Sequence, residues 1–205
     1  MLTRFRKSFR FATEVPAKVV SKVLKNPNII TATGLLLSFG VIIAAYYRHT
    51  VLALILLLVS SYMDALDGSL ARITGRVTKF GAVLDSFSDR VEEFNYIIAL
   101  SLLGLNTYLA MVMIVLSFSI SYLRAHGELR GIKMEGIGLF ERGERIVMIA
   151  IIMTLFVLDI GNIILLEGLS IANVVGLIYS ALCLITVLQR LIHIYTVTKT
   201  HELKS

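Results

Sequence analysis

The chain has little of what secreted and soluble proteins depend on. It contains one cysteine, Cys183, in 205 residues, so an intrachain disulfide is impossible. Charged residues make up only 17% of the chain. The first 25 or so residues are too charged for the apolar core of a signal peptide, and we expect no cleaved leader. No internal repeat or low-complexity segment is evident. A disulfide scaffold and a repeat protein are therefore excluded.

Apolar residues, in contrast, are in excess. They make up 57% of the chain, and its mean hydropathy is +0.82. A soluble domain of this composition could not cover its apolar surface with polar side chains. The composition therefore predicts an integral membrane protein, and the length allows one compact bundle without a sizeable soluble domain.

Six apolar segments reach or approach the ~20 residues that a helix needs to cross the hydrocarbon layer. They lie at about 28–47, 51–73, 78–103, 107–128, 139–158 and 170–198, with a loop at 159–168. We therefore predict an all-α membrane protein in which residues 26–205 form a domain of six transmembrane helices.

The first 25 residues are basic, with apolar side chains between the charges. Four valines recur at nearly helical spacing, and three lysines lie elsewhere on the turn: Val15, Val19, Val20, Val23, Lys18, Lys22 and Lys25. This pattern predicts an amphipathic helix on the cytoplasmic membrane surface. The alternative for residues 1–11 is a disordered basic tail.

The distribution of basic residues predicts the orientation. Six spans place both termini on one side, where the loops and the terminal segment carry most of the positive charge. That side holds Arg72, Arg76, Lys79, Arg130, Lys133 and seven basic residues of segment 1–25, whereas the opposite loops hold only Arg48. The positive-inside rule then makes both termini cytoplasmic. The net charge of +6 is clustered in these basic ends, so we expect contact with anionic lipid and not with nucleic acid.

Four aspartates interrupt the apolar segments. An ionised carboxylate at the centre of a membrane helix costs about 2.5–3.5 kcal/mol, so such residues usually belong to a functional site. Asp64 and Asp67 are three residues apart, and Asp85 and Asp89 are four apart, which puts each pair on one helix face. Two facing helices would bring four oxygen ligands together, a set that suits Mg²⁺, Mn²⁺ or Ca²⁺ and not zinc. The alternative is a solvated interfacial loop.

The same stretch resembles the signature of the CDP-alcohol phosphotransferases. It reads D-x2-D-G-x2-A-R-x8-G-x3-D-x3-D, through Asp64, Asp67, Gly68, Ala71, Arg72, Gly81, Asp85 and Asp89. The resemblance implies that a CDP-linked donor is bound through Mg²⁺ or Mn²⁺. An alcohol then attacks the phosphorus distal to cytidine, and CMP leaves.

The resemblance also implies roles for single residues. Asp64, Asp67 and Asp85 match the metal ligands. Asp89 matches the catalytic base, and we also expect it to contact a metal. The small residues of the signature and Arg72 match positions lining the CDP pocket with the aspartates: Gly68, Ala71, Arg72 and Gly81. Asn28 and Thr31 resemble the nucleotide-contacting start of the first span, on a shorter match.

The acceptor has to be sought in the second half of the chain. Five basic residues lie near the cytoplasmic ends of the last three predicted spans: Arg124, Lys133, Arg142, Arg145 and Arg190. Arginine forks suit a phosphate, so these residues favour a phosphorylated alcohol. For any single residue, the alternative is an ordinary positive-inside anchor.

Two short stretches resemble the subgroup that makes inositol phosphate lipids, the phosphatidylinositol phosphate and archaetidylinositol phosphate synthases. They are SYLRAHGE at 121–128 and FERGER at 140–145, although the subgroup often has arginine at the position of His126. The implied acceptor is myo-inositol 1-phosphate. The implied donor is CDP-diacylglycerol or CDP-archaeol, and the implied assembly is a homodimer.

Other functions remain open at this stage. Glycerol 3-phosphate or serine could replace the inositol phosphate as acceptor. A divalent-cation transporter would also use intramembrane aspartates, but transporters tend to show repeated, interrupted helices, and here the acidic stretch occurs once. A non-catalytic scaffold would not need all positions of the signature.

Overall fold

The computed structural model describes residues 6–22, 24, 26–166 and 168–202. Within these residues the chain forms seven helices and one short β-hairpin. The helices are α1 Arg6–Val20, α2 Pro27–Tyr46, α3 Thr50–Thr74, α4 Lys79–Leu103, α5 Thr107–Leu129, α6 Arg142–Val157 and α7 Ile171–Glu202. The hairpin pairs β1 Ile164–Leu166 with β2 Leu169–Ser170, inside and just after the predicted loop. The helical prediction is confirmed, and α2 to α7 correspond to the six predicted segments.

Local sequence explains where these helices begin and end. Pro27 takes the first position of α2, where its missing N–H costs nothing, and Asn26 caps that turn by accepting from Asn28 N at 3.2 Å. Thr78 caps α4 by accepting from Gly81 N at 2.9 Å. α3 ends at Gly75, whose φ of 65° lies in the left-handed region that glycine adopts without a steric penalty.

Large apolar side chains occupy both the interior and the exterior of the bundle. Leu57, Tyr96 and Ile149 are fully buried, whereas Leu36 and Val115 are more than half exposed. Helices that are apolar on both faces suit a lipid environment. Four described helices, α2, α3, α5 and α7, are long and apolar enough to cross a membrane. The chain is therefore a helical, multi-pass membrane protein.

Two of the six predicted spans differ from the other four. The first 15 residues of α4 contain six charged side chains: Lys79, Asp85, Asp89, Arg90, Glu92 and Glu93. α6 has 16 residues, fewer than the 20 predicted at 139–158, because it begins only at Arg142. Length and composition therefore identify four spans, and the other two have to be argued from packing.

Successive helices run in alternating directions, so that charged residues meet at one end of the bundle. At the far end, Arg48 Nη1 donates to Leu103 O at 3.0 Å and Asn106 N donates to Asn173 Oδ1 at 2.8 Å. At the near end, Arg190 Nη1 donates to Ile120 O at 2.5 Å. The near end combines the beginnings of α2, α4 and α6 with the ends of α3, α5 and α7.

α1 packs against this near end. Ala17 is fully buried in a cluster with Ile30, Leu66 and Leu70, whereas Val15 and Val19 point outward. The described part of the terminal segment, which includes residues 6–11, is thus helical, and its predicted position on the membrane surface stays a prediction. Residues 1–5, Val23 and Lys25, which the prediction also used, lie outside the described residues.

Candidate active site

Three of the four predicted aspartates form a compact group where α3 ends and α4 begins. One carboxylate oxygen from each of Asp64, Asp67 and Asp85 lies within 4.8 Å of the others. We call these residues the aspartate group. Thr31 on α2 donates a hydrogen bond to Asp67 Oδ2, which orients this buried carboxylate. The predicted facing of the two helices is therefore observed.

The donor atoms of the aspartate group suit a divalent cation. Asp64 Oδ1 is buried and has no hydrogen-bond partner among the described residues. A buried carboxylate oxygen without a partner is costly, and a hard cation such as Mg²⁺ or Mn²⁺ would satisfy it. Three carboxylates on two helices also leave room for substrate oxygens in the coordination shell of such an ion.

Asp89 lies outside the aspartate group. Its Oδ1 is 2.8 Å from Arg142 Nη1, and its Oδ2 is 3.6 Å from Arg90 Nη1. One helical turn beyond Asp85, this carboxylate contacts two guanidinium groups and also lies within hydrogen-bonding reach of Asp64. The predicted roles of Asp89, as a metal ligand and as the catalytic base, both remain predictions.

Two cavities, of about 210 and 180 Å³, lie beside this region. The first, of about 210 Å³, is formed by α2, α3 and α4. We call it the α2–α4 cavity. Its lining includes every residue predicted to contact the CDP donor except Asp64: Asn28, Thr31, Asp67, Gly68, Ala71, Arg72, Gly81 and Asp85. Arg76 lines it as well and was not predicted. The signature thus folds into one concave surface beside the aspartate group.

The glycine at position 81 has a steric explanation. A Cβ atom there would lie 3.2 Å from Asn28 Oδ1 and 3.0 Å from Thr78 Oγ1. Any larger residue would push against the start of α2 and the cap of α4. Glycine therefore keeps the two helices close enough for Asn28 to reach the α2–α4 cavity.

The second cavity, of about 180 Å³, lies between α4, α5, α6 and α7. We call it the arginine cavity. Four of the five residues predicted to bind the acceptor phosphate line it: Arg124, Arg142, Arg145 and Arg190. With Arg90 the lining contains five arginines, against the three carboxylates of Asp89, Glu93 and Glu141. The excess of positive charge favours an anionic ligand.

The fifth residue, Lys133, does not line this cavity, and its predicted role in binding the acceptor phosphate stays a prediction. In the segment after α5, Ile132 and Met134 are buried, and Lys133 between them is exposed. The alternation turns the lysine side chain away from the bundle. Only its backbone takes part in a described contact, with the carbonyl oxygen 3.1 Å from His193 Nε2.

The arginines of the cavity differ in how firmly they are held. Arg145 is 2% exposed and forms a bidentate pair with Glu93, at 2.6 Å from Nε and 2.8 Å from Nη2. Arg190 is fixed by two backbone carbonyls, Ile137 O at 2.9 Å and Ile120 O at 2.5 Å. Arg124 is half exposed, and among the described residues it pairs with Glu128, one turn away. Arg124 is therefore the guanidinium most available to a ligand.

Arg142 connects the arginine cavity to the aspartate group. Its Nη1 contacts Asp64 Oδ2 and lies 2.8 Å from Asp89 Oδ1, and its Nη2 lies 3.4 Å from Glu92 Oε2. The sequence predicted Arg142 as a phosphate ligand and did not predict its contacts with three carboxylates. Its guanidinium neutralises part of the negative charge beside the aspartate group.

Two buried carboxylates of the site, Glu92 and Glu93, were missed. They are 1% and 4% exposed and contact Arg142 and Arg145. The helical spacing was available as a signal, because Asp85, Asp89, Glu92 and Glu93 continue one face of α4. The two glutamates fall outside the signature, in a stretch otherwise read as apolar.

With this geometry established, comparison with known proteins decides the family. The family model described as CDP-alcohol phosphatidyltransferase matches residues 24–187. The chain belongs to the CDP-alcohol phosphatidyltransferase family. The matched residues contain the aspartate group, the complete α2–α4 cavity and most of the arginine cavity. The family prediction is therefore confirmed, and the chain is a CDP-alcohol phosphotransferase and not a transporter or scaffold.

Named relatives of this family match most of the chain. The archaetidylinositol phosphate synthase of Pyrococcus horikoshii is 36% identical over 152 residues, which cover 74% of this chain and 81% of that one. The enzyme of the same name from Aeropyrum pernix is 32% identical and covers 87% of each chain. The phosphatidylinositol phosphate synthase of Corynebacterium glutamicum is 34% identical over 70% of this chain and 69% of that one.

Solved structures of the family share the fold. The phosphatidylinositol phosphate synthase of Mycobacterium tuberculosis with CDP-DAG bound superposes with a TM-score of 0.73 at 25% identity, covering 90% of this chain and 94% of that one. The same enzyme in complex with manganese and citrate gives the same TM-score and covers 89% of that chain. The manganese in that relative agrees with the prediction of a divalent cofactor.

Proposed function

We propose that the chain transfers a phosphatidyl-type group from a CDP-linked lipid to myo-inositol 1-phosphate and releases CMP. The observation that carries the proposal is the position of Arg142, which lines the arginine cavity and also contacts Asp64 of the aspartate group. A phosphate held by the arginines would therefore lie beside the diphosphate of the donor. The names of the relatives from Pyrococcus horikoshii, Aeropyrum pernix and Corynebacterium glutamicum support the same acceptor class.

The α2–α4 cavity is the proposed site of the CDP group. Gly68 and Ala71 offer short side chains against which a nucleotide can lie, while Asn28 and Arg72 supply polar contacts at the rim. Asp64, Asp67 and Asp85 would hold the divalent ion. When bound, this ion neutralises the carboxylates and polarises the diphosphate.

Asp89 is the proposed base. A hydroxyl of the inositol phosphate loses its proton to Asp89 and forms a bond to the phosphorus distal to cytidine. The bond between that phosphorus and the oxygen of CMP breaks, and CMP leaves with the bonding electrons. Asp89 lines the arginine cavity, so it faces an acceptor that enters there. Arg142 keeps the carboxylate oriented through its 2.8 Å contact.

The acceptor phosphate is assigned to the arginine cavity. Arg124 is exposed enough to close on a phosphate, and Arg190, held by two backbone carbonyls, supplies fixed positive charge behind it. Arg145, paired with Glu93, lines the same cavity. A phosphorylated alcohol is favoured over serine because serine would leave this charge uncompensated. Glycerol 3-phosphate carries the same group, and the experiment below separates it from inositol phosphate.

The proposed membrane arrangement has six spans, with residues 26–205 as the catalytic domain. α4 and α6 pack within the bundle through side chains such as Tyr96, Ile149 and Met153, which are fully buried, and this supports counting both as spans. Both termini and both cavities are placed on the cytoplasmic side, where basic residues cluster. α1 would lie on the membrane surface, and the protein is proposed to be a homodimer.

The decisive experiment is an acceptor panel followed by mass analysis of the lipid product. Purified protein with Mg²⁺ receives CDP-diacylglycerol or CDP-archaeol, and each donor is combined with inositol 1-phosphate, glycerol 3-phosphate, serine or free inositol. We expect CMP release and a new lipid only with inositol 1-phosphate, and the faster donor identifies the lipid class. A glycerol or serine product would contradict the acceptor assignment. No CMP release with any pair would contradict the proposed function.

A further inference from the structure

Arg72, at the rim of the α2–α4 cavity, is held by a hydroxyl group outside the signature. Its Nη2 donates to Ser69 Oγ at 2.9 Å. Ser69 lies one turn earlier on α3 and is 1% exposed, although Arg72 itself is exposed. The D-x2-D-G-x2-A-R pattern leaves position 69 unspecified. The structure thus adds a residue that touches the cavity only through Arg72.

Ser69 is in turn connected to the N-terminal helix. Its hydroxyl donates to Thr13 Oγ1 on α1 at 2.9 Å, with a longer contact of 3.4 Å to Ala65 O. A serine hydroxyl has one proton and can accept two further bonds, so it can donate to Thr13 and accept from Arg72 at the same time. Thr13, Ser69 and Arg72 therefore form a continuous hydrogen-bonded chain from α1 to the cavity.

The packing of α1 against α3 holds Thr13 in place within this hydrogen-bonded chain. Thr13 is 4% exposed, and Ala17, one turn later, is fully buried against Ile30, Leu66 and Leu70. The same helix turns Val15 and Val19 outward, with 48% and 63% of their surfaces exposed. α1 is thus seated on α3 through the face that carries Thr13.

The hydrogen-bonded chain from Thr13 to Arg72 limits the rotamer freedom of the long Arg72 side chain. A free arginine has about 2 kcal/mol of rotamer entropy to lose when it binds a ligand. Holding the guanidinium beforehand reduces that loss and strengthens binding. Arg76 lines the same cavity, and no side-chain hydrogen bond holds it within the described residues. Arg72 is therefore the better prepared of the two arginines.

We infer that Ser69, supported by Thr13 of α1, is a positioning residue that sets the Arg72 guanidinium for binding the CDP group of the donor. The inference rests on the proposed role of Arg72 in the α2–α4 cavity. It makes the affinity for the nucleotide depend on how α1 is seated, although none of the described side chains of α1 lines that cavity.

The test measures the Kd for CDP in the presence of Mg²⁺, by calorimetric titration of the full-length protein in detergent. Because CDP is used alone, neither the acceptor nor the lipid tail enters the result. Ser69→Ala should raise the Kd roughly tenfold, and Thr13→Val should raise it by a smaller factor. Thr13→Ser should bind like the parent because it keeps the hydroxyl. Thr74→Val is the matched control, since the Thr74 hydroxyl bonds only carbonyls of its own helix.

A second comparison separates positioning from a general effect on folding. In a protein that already carries Arg72→Ala, adding Ser69→Ala should not raise the Kd further, because residues that act through one another are not additive. In turnover assays Ser69→Ala should raise the KM for the donor and leave the KM for the acceptor within about twofold. If Ser69 had only a structural role, Ser69→Ala would raise the KM for both the donor and the acceptor.

Each remaining outcome contradicts the inference. An unchanged Kd in Ser69→Ala, beside a raised Kd in Arg72→Ala, would overturn positioning by Ser69 and leave the proposed function intact. If Ser69→Ala raises the Kd for CDP by the same factor in the parent protein and in the Arg72→Ala variant, the serine acts through the fold. No CDP binding by the parent protein would overturn the proposed function, and the inference with it. If Ser69→Ala does not fold, the comparison of Thr13→Val with Thr13→Ser decides in its place.

Discussion

Arg142 Nη1 lies 2.8 Å from Asp89 Oδ1, and both residues line the arginine cavity. The same nitrogen contacts Asp64, so one guanidinium touches both the aspartate group and the proposed base. Arg142 thereby holds Asp64 and Asp89 close to one another, at the edge of the arginine cavity that Asp89 lines. The proposed division between metal binding by Asp64 and proton transfer by Asp89 rests on this contact.

Replacing the proposed base tests that division. Asp89→Asn keeps the size of the side chain and removes its ability to take a proton. We expect kcat to fall on the order of 10²- to 10⁴-fold, the usual contribution of a general base. CMP release measures turnover, and titration with CDP should show nearly unchanged binding. Substantial remaining turnover would show that Asp89 is not the base. Loss of CDP binding would indicate that Asp89 acts as a metal ligand.

Thr31 provides a mild test of the metal site. Its hydroxyl orients Asp67, and removing such a support typically weakens metal affinity 10- to 100-fold. Thr31→Val should therefore raise the Mg²⁺ concentration needed for half-maximal CMP release by roughly tenfold. Thr33→Val is the control, because the Thr33 hydroxyl bonds only Ile29 O of its own helix, at 2.8 Å. Equal Mg²⁺ requirements in both variants would contradict the role of Thr31.

Arg124 tests the assignment of the acceptor. Arg124→Ala removes the most exposed guanidinium of the arginine cavity and should raise the KM for inositol 1-phosphate about tenfold, with the KM for the donor unchanged. Arg130→Ala is the control. Arg130 follows the same helix and contacts His126, and it does not line the cavity. Parallel increases in both KM values would argue against a separate acceptor site.

Glu93 tests the buried ion pair behind the cavity. Glu93→Gln leaves Arg145 charged and buried, which typically costs 3–5 kcal/mol. We expect a clear fall in the thermal unfolding midpoint of the protein in detergent. Glu128→Gln removes the partner of an exposed i,i+4 pair, worth at most about 1 kcal/mol, and should hardly move the midpoint. Similar midpoints for the two variants would contradict a stabilising role for the Glu93–Arg145 pair.

The features that depend on local sequence could be predicted. The helices follow from long apolar segments, and their ends follow from Pro27, Gly75 and the caps at Asn26 and Thr78. The aspartate group follows from spacing, because a helical repeat fixes which carboxylates share a face. The α2–α4 cavity follows from the signature, whose residues lie within two neighbouring helices and the start of a third.

What could not be predicted depends on contacts between distant parts of the chain. Asp89 pairs with Arg142, which lies on another helix, and spacing along α4 carries no trace of that pair. From the sequence alone, Lys133 could not be distinguished from the four arginines of the cavity. In the structure its neighbours Ile132 and Met134 are buried, and the Lys133 side chain between them is exposed. Glu92 and Glu93 were missed because the residues around them are apolar, although both continue the acidic face of α4 that Asp85 and Asp89 begin.

The pair between Glu93 and Arg145 has a consequence for biogenesis. Each residue brings a charge into the bundle that the other neutralises at close range, with Tyr179 of α7 donating to Glu93 Oε1 at 2.9 Å. A lone charge on an inserting helix is expensive in lipid. If α4 and α6 span the membrane as proposed, each would enter the bilayer with a charge that the other has to neutralise. The ribosome would deliver α4 first, so the late half of the chain would complete the membrane insertion of the early half.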